Sequence, residues 1–278
     1  MATVLMWSSA FPGTRYLLQY YSPGSIMLLR FVLAAVIMVV IGIIKKIRLP
    51  KKKDLPIFAA FGVCGIFLYN FFFNTGTVNV AAGVSSFIIA SSPVFTLILS
   101  RLLLKEVVKP ACWAGVALSF CGLVVVMLSQ TTGFSFNTGV LLLLCAAVSG
   151  SILNITQRKL VKTYTAFEAT TYAMFIGTFC MLVYIPDVVR ELPGSTLTVN
   201  LIIVHMAVFP AILAYLSWGF ALSRAKKTTH VTVFLYLVPF LASLLGYLWL
   251  GETFSIWALF GGVVIIAGMV LTNTLGKS

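Results

Sequence analysis

Residues 82–126 read AGVSSFIIASSPVFTLILSRLLLKEVVKPACWAGVALSFCGLVVV, and residues 228–272 read TTHVTVFLYLVPFLASLLGYLWLGETFSIWALFGGVVIIAGMVLT. A step of 146 residues carries Pro93 onto Pro239, Glu106 onto Glu252, Gly115 onto Gly261 and Gly122 onto Gly268. Each copy is two long apolar runs joined by a short hinge, with a proline inside the first run. A step near 143 extends the match upstream more weakly, placing Arg15 on Arg158 and Ser22-Pro23 on Thr165-Ala166. The chain is therefore expected to be a duplicated unit, 1–133 followed by 134–278.

Composition decides the class. Hydrophobic residues make up 60% of the 278, charged residues only 9%, and the mean hydropathy is +1.08. Soluble domains carry about 25% charged residues, so this chain lacks the polar groups to cover itself in water. It reads as an integral membrane protein with no separate aqueous domain. The net charge of +13 would suggest nucleic acid in a soluble protein. Here the charges sit in short loops between apolar runs, which argues for membrane orientation and anionic lipid instead. Cys64, Cys112, Cys121, Cys145 and Cys180 all lie within apolar runs without a C-x-x-C pair, and read as packing residues.

A helix crosses the hydrocarbon with about 20 mostly apolar residues, and only helices or closed barrels satisfy their backbone there. Ten such segments are expected: Ala2–Tyr20, Gly24–Ile44, Leu55–Thr75, Val80–Leu104, Pro110–Ser129, Thr138–Gln157, Phe167–Ile185, Val199–Ser223, Thr229–Leu250 and Phe254–Thr274. The first has no basic n-region and is interrupted by Pro12 and Arg15, so it reads as a span and not a signal peptide. With the N-terminus on one side, that side receives Lys45, Lys46, Arg48, Lys51, Lys52, Lys53, Arg101, Lys105, Lys109, Arg158, Lys159, Lys162, Arg224, Lys226, Lys227 and Lys277. The other side receives Arg190 alone, while Arg15 and Arg30 fall inside helices. Basic loops mark the cytoplasm, so both termini are placed inside and the protein in the plasma membrane. A unit of five spans is odd, so its second copy enters from the opposite side. The expected fold is all-α, with ten transmembrane helices as two inverted five-helix repeats. Such repeats are the usual basis of alternating access.

Prolines inside helices remove one hydrogen bond and clash with the carbonyl four residues back. Pro12, Pro93, Pro210 and Pro239 would free the carbonyls of Ser8, Ile89, Met206 and Leu235 at similar depth. Interrupted helices at matching positions point to a central site, with a purely structural kink as the alternative. Polar and aromatic side chains gather at comparable depth: Trp7 and Ser8; Asn70 and Asn74 one turn apart; Ser85 and Ser92; Asn154; Tyr172; Tyr215 and Trp218; and Tyr236. Amides, hydroxyls and aromatics suit an organic solute with polar and apolar parts, although each could instead serve interhelical hydrogen bonding or interfacial anchoring. Arg15 and Arg30 lie in the outer halves of the first hairpin, with no deep carboxylate to pair them. They read either as an electropositive vestibule or gate for a substrate carboxylate, or as side chains snorkelling to lipid phosphate. His205 reads as a proton-coupling group or a hydrogen-bonded structural residue. Glu168 reads as a helix N-terminal charge. The glycines of helices five and ten mark close-packed scaffold.

Signatures of ATP hydrolysis, zinc proteolysis and intramembrane aspartate chemistry are missing, and no cofactor or metal is called for. The run Trp7–Arg15 (WSSAFPGTR), Pro23, Leu29-Arg30-Phe31, Ser91-Ser92-Pro93, Lys105-Glu106, Val238-Pro239 and Gly251-Glu252 together resemble the EamA-type proteins of the drug/metabolite transporter superfamily. The resemblance spans nearly the whole chain. It implies an exporter of amino acids, other metabolites or drugs, with helices one to four and six to nine around a central cavity and five and ten peripheral. Ala173 stands where the repeat would place Arg30, so the halves are not chemically equivalent. The expected function is secondary transport of a small-molecule substrate, with a channel or facilitator on the same scaffold as the alternative, and an intramembrane enzyme or helper subunit as the remote one. The oligomeric state is open.

Overall fold

Where a proline sits in a helix decides whether it bends the helix or begins one. In the first turn its missing N–H would be unpaired anyway, so it is tolerated there. The computed structural model describes residues 2–78, 80, 82–128, 138–250 and 256–274, and its regular structure is helical, with no strand among the described residues. The chain opens with α1 (Ala2–Ser8) and α2 (Ala10–Leu17), broken at Ser9. α3 (Pro23–Ile44) is capped by Ser22, whose Oγ accepts from the Ser25 N–H. α4 (Leu55–Ala59) passes through a π-helical stretch, Ala60–Leu68, into α5 (Tyr69–Val78). α6 (Ala82–Ile89) and α7 (Ser92–Leu103) are separated at 90–91. α8 (Pro110–Leu128) completes the first half.

The second half begins with α9 (Thr138–Leu160) and α10 (Ala166–Met181), followed by the short α11 (Ile185–Glu191). A capping box starts α10: the Glu168 N–H donates to Thr165 Oγ1, and the Thr165 N–H donates back to the Glu168 carboxylate. Next come α12 (Leu197–Met206), a second π stretch (Ala207–Leu213) and α13 (Ala214–Arg224). α14 (Thr229–Thr232) tightens into a 3-10 turn, Val233–Tyr236, before α15 (Leu237–Leu250), and α16 (Ile256–Thr274) closes the described chain.

Three of the four prolines therefore lie in the first turn of a helix, two after a break and Pro239 directly after a 3-10 turn. Pro93 lies in the first turn of α7, Pro12 is the third residue of α2, and Pro239 the third of α15. Pro210 lies inside the π stretch. The other π stretch, Ala60–Leu68, has no proline to announce it. Moving residues 60–68 by 146 gives 206–214, which bracket Ala207–Leu213.

Among the described residues, six helical segments are long and apolar enough to cross a membrane: Pro23–Ile44, Lys52–Val78, Ser85–Leu103, Thr138–Leu160, Ala166–Gly194 and Leu197–Arg224. Shorter apolar helices cover Pro110–Gly122, Thr229–Ala242 and Phe260–Thr272. Glu252 and the boundary between the expected units at 133–134 lie outside the described residues.

α8 and α16 run antiparallel in close contact. A Cβ on Gly115 would stand 2.7 Å from the Gly268 carbonyl oxygen, and one on Gly122 2.7 Å from that of Gly261. Ser119 Oγ donates to the Ile265 carbonyl between them (3.2 Å). Only glycine permits that approach. These two helices pack chiefly on each other and join the rest of the core through Cys112, Val116 and Ile265, while elsewhere in the bundle the two halves interleave. A Cβ on Gly62 would meet the Ala173 carbonyl oxygen at 2.8 Å, and one on Gly177 would meet the Gly62 carbonyl oxygen at 2.8 Å.

At the end that carries the basic loops, the connections are tied together. Arg48 pairs with Glu168 (Nε to Oε1, 3.2 Å), and Tyr164 donates to Asp54 (2.7 Å) while accepting from the Lys51 N–H (2.9 Å). The hydrogen bonds that Arg48 donates to the Glu168 carboxylate hold its guanidinium above the ordinary pKa. At the opposite end the Ser22 N–H donates to Glu191 (2.9 Å).

Candidate functional site

The breaks and π stretches leave side chains of both halves facing a shared space. That space is a narrow cavity of about 70 Å³, below the roughly 300–1,000 Å³ typical of open small-molecule sites. α1 and α2 contribute Trp7, Ala10 and Phe11; α3 contributes Arg30; α5 contributes Tyr69, Asn70 and Phe73. The α6–α7 region supplies Ile89, Ala90 and Ser92, α9 supplies Gly150, Leu153 and Asn154, and Pro210, Tyr215, Leu235 and Val238 complete the wall. Among the described residues, neither α8 nor α16 contributes to the lining. Nor does α10, although the resemblance places helix seven in the wall.

Seven of the residues singled out in the sequence line this cavity: Trp7, Arg30, Asn70, Ser92, Asn154, Pro210 and Tyr215. Trp218 stands directly behind it, tilted against Trp7 (ring centroids 5.0 Å) and donating its Nε1–H to Asn154 Oδ1 at 2.8 Å. Ser8 is buried one layer away, donating to the carbonyls of Val4 and Val238 (2.8 and 3.3 Å). Asn74 lies one turn beyond Asn70 and donates to its carbonyl (2.7 Å). Ser85 donates to the Val80 carbonyl (3.3 Å) and Tyr236 is packed fully inside the core. Tyr172 stands near the basic end, its hydroxyl donating to the Arg48 carbonyl (3.0 Å). Arg15 is exposed at the opposite end, beside a shallow recess shared with Gln19, Tyr20 and Glu191. His205 Nε2 hydrogen-bonds Ser9 Oγ (3.1 Å) at the break between α1 and α2.

Arg30 is only 4% exposed, so its guanidinium is enclosed by protein and does not reach lipid phosphate. Its Nε and Nη1 have no hydrogen-bond partner.

Toward the basic end the cavity floor is polar and largely hydrogen-bonded, although Gln157 Oε1 has no partner. Asn154 Nδ2 donates to Thr96 Oγ1 (3.1 Å), Ser151 donates to the Ser92 carbonyl (3.0 Å), and Gln157 Nε2 donates to the Tyr215 carbonyl (3.1 Å). Below these, Glu106 accepts from the Thr228 N–H and hydroxyl (3.0 and 2.7 Å) and stands 3.8 Å from Arg158 Nε. Arg158 also donates to the carbonyls of Leu222, Ala225 and Lys226, capping the end of α13. It was counted among the loop charges from sequence, yet the structure buries it in the last turn of α9. Sequence reasoning also passed over Tyr69, Gly150, Thr96 and Gln157. Only Gln157, an amide inside an apolar run, carried a usable signal.

These features define a multi-pass membrane protein with a central cavity between its helices. The EamA-like transporter family matches residues 1–128 and again 137–274, and the chain belongs to that family. It is similar over 96% of its length to the uncharacterized transporter YdfC of Bacillus subtilis, with 31% identity over 267 residues covering 87% of that protein. It is 33% identical over 277 residues to a protein of Streptantibioticus cattleyicolor named "Probable terminal-alkyne amino-acid exporter", covering 99% of this chain and 93% of that one. A known crystal structure superposes with a TM-score of 0.81 at 20% identity, over 99% of this chain and 95% of the other, and shows the fold alone. The protein is a transporter of small molecules and not an enzyme.

Proposed function

We propose that the protein is a secondary transporter that exports small organic metabolites, amino acids or similar amphiphilic solutes, by alternating access through the central cavity. The observation that carries this reading is the cavity itself. Its walls come from both halves of the chain, and a short stack of polar contacts closes it toward the basic end. A closure made of a few hydrogen bonds and one ion pair can open and reform, whereas a packed apolar core does not move continuously. The amino-acid reading draws support from the named exporter at 33% identity.

In this reading ten spans form two inverted units, 1–133 and 134–278. Two features support the inversion. The α8–α16 contact exchanges equivalent positions: Gly115 meets Gly268, Gly122 meets Gly261, and Ser119 meets Ile265, its own counterpart 146 residues on. That reciprocity in an antiparallel pair is the mark of a two-fold axis. The π stretches recur at the same offset. The basic end faces the cytoplasm of the plasma membrane and its anionic lipid, with both termini inside. Cysteines replacing Lys52 and Gly194 test the orientation, Lys52 labelling from the cytoplasm and Gly194 from outside.

Counterflow in proteoliposomes tests the mechanism. A carrier loaded with unlabelled substrate accumulates labelled substrate transiently, and a pore does not. Flux across an amino-acid panel without counterflow would replace the carrier with a channel.

A further inference from the structure

We propose that Arg30 is the anion receptor of the cavity, and that the transported solutes are carboxylates with an apolar body and not organic cations. This deepens the carrier reading above and names the substrate class of the same site. The argument begins with charge. A guanidinium remains ionised in proteins, and a buried charge without a partner is costly. Arg30 is 4% exposed, lines the cavity, and has Nε and Nη1 unsatisfied. It is the eighth residue of α3, about 10 Å along the helix from Pro23, too deep and too enclosed for a lipid phosphate to reach.

Among the described residues no Asp or Glu lines the cavity, and Asp187 lies on the short α11 at the end opposite the basic loops. Asp54 is engaged by Tyr164, Glu106 by Thr228, Glu168 by Arg48 and Glu191 by Ser22, all at the two ends of the bundle. An incoming carboxylate would meet the guanidinium charge and an unpaired N–H donor, Nε on one edge or Nη1 on the other. An incoming ammonium would meet a like charge and no carboxylate. Around the guanidinium stand Tyr69, Tyr215 and Asn70, with the Tyr215 hydroxyl on Asn70. Beyond them the wall is Phe11, Phe73, Leu153 and Leu235, which fits a hydrocarbon or aromatic body. The repeat counterpart of Arg30 is Ala173, buried outside the cavity, so the receptor exists once.

Purified protein in detergent is titrated calorimetrically with four probes sharing one branched body: leucine, isocaproate, isocaproamide and isopentylamine. Leucine or isocaproate binds, and isocaproamide, which lacks only the charge, binds about 10- to 100-fold more weakly than isocaproate. The tighter of the two acids tells an amino-acid site from a simple carboxylic-acid site. This comparison uses the unaltered protein and does not depend on any variant folding. Arg30→Gln removes the discrimination between isocaproate and isocaproamide, and Arg30→Lys retains part of it. The assignment is overturned if the amide or amine binds as tightly as the acids, if neither acid binds at millimolar concentration, or if Arg30→Gln still discriminates. Binding and transport fail separately. Acids that bind through Arg30 but give no counterflow sink the carrier and leave the receptor. Counterflow of isopentylamine without binding of either acid does the reverse.

Discussion

Asn154 illustrates how one polar side chain serves both cavity and core. Its amide donates to Thr96 and its carbonyl accepts from Trp218. Asn154→Ala leaves the indole N–H unpaired in a dry interior, a loss of about 1–3 kcal/mol. We expect a lower melting temperature in detergent, and an unchanged melting curve would show that water replaces the amide. At this scale the sequence was legible in depth but not in direction. Trp7, Asn70, Asn154 and Tyr215 were singled out by depth and do meet at the cavity. Tyr172 and Tyr236 were chosen by the same argument and lie elsewhere. In a soluble helix the polar face announces the outside. In a lipid-embedded helix both the lipid side and the packed side are apolar, so periodicity does not reveal which way a residue points.

Helix elements were more readable than their irregularities. Apolar runs of the right length predicted the long segments, and proline marked three helix starts and one π stretch. The π stretch at Ala60–Leu68 had no such marker, because a register slip of one residue leaves no compositional trace. Glycine contacts allow a graded test. Gly115→Val places its Cβ against the backbone of α16, 2.7 Å from the Gly268 oxygen and 2.8 Å from the Thr272 nitrogen, and neither atom is free to move aside. We expect overpacking of about 1–3 kcal/mol or more, read as loss of monodisperse protein. Gly150→Ala meets only side chains, Tyr69 at 3.3 Å and Ser92 at 3.4 Å. It should keep the fold and shrink the cavity, raising KM for bulky solutes more than for small ones. Equal behaviour of the two variants would contradict the division between scaffold and wall.

Across the whole molecule, the proposed carrier would close at the basic end through Glu106, which joins the α7 hinge to the start of α14 and to Arg158 on α9. Glu106→Gln keeps the shape and removes the charge. Loss of an ion pair with hydrogen bonds, partly exposed, weakens the closure by about 1–3 kcal/mol, or roughly a 5- to 150-fold shift between closed and open forms. A cysteine replacing Thr96, which is fully buried beneath the cavity, reports it. Membrane-impermeant thiol reagent applied from the basic side should label it faster in the Glu106→Gln background, and an unchanged rate would place the barrier elsewhere. Composition, the lengths of the apolar runs and the doubled motif determined from sequence alone that this is a helical membrane protein of transporter type, because those properties are one-dimensional and the lipid imposes them segment by segment. Helix rotation, the burial of Arg158 and the aim of Arg30 into an enclosed space were decided only by tertiary packing. The bilayer rewards apolar surface equally on every side of a helix, so only contact with neighbouring helices chooses which side turns inward.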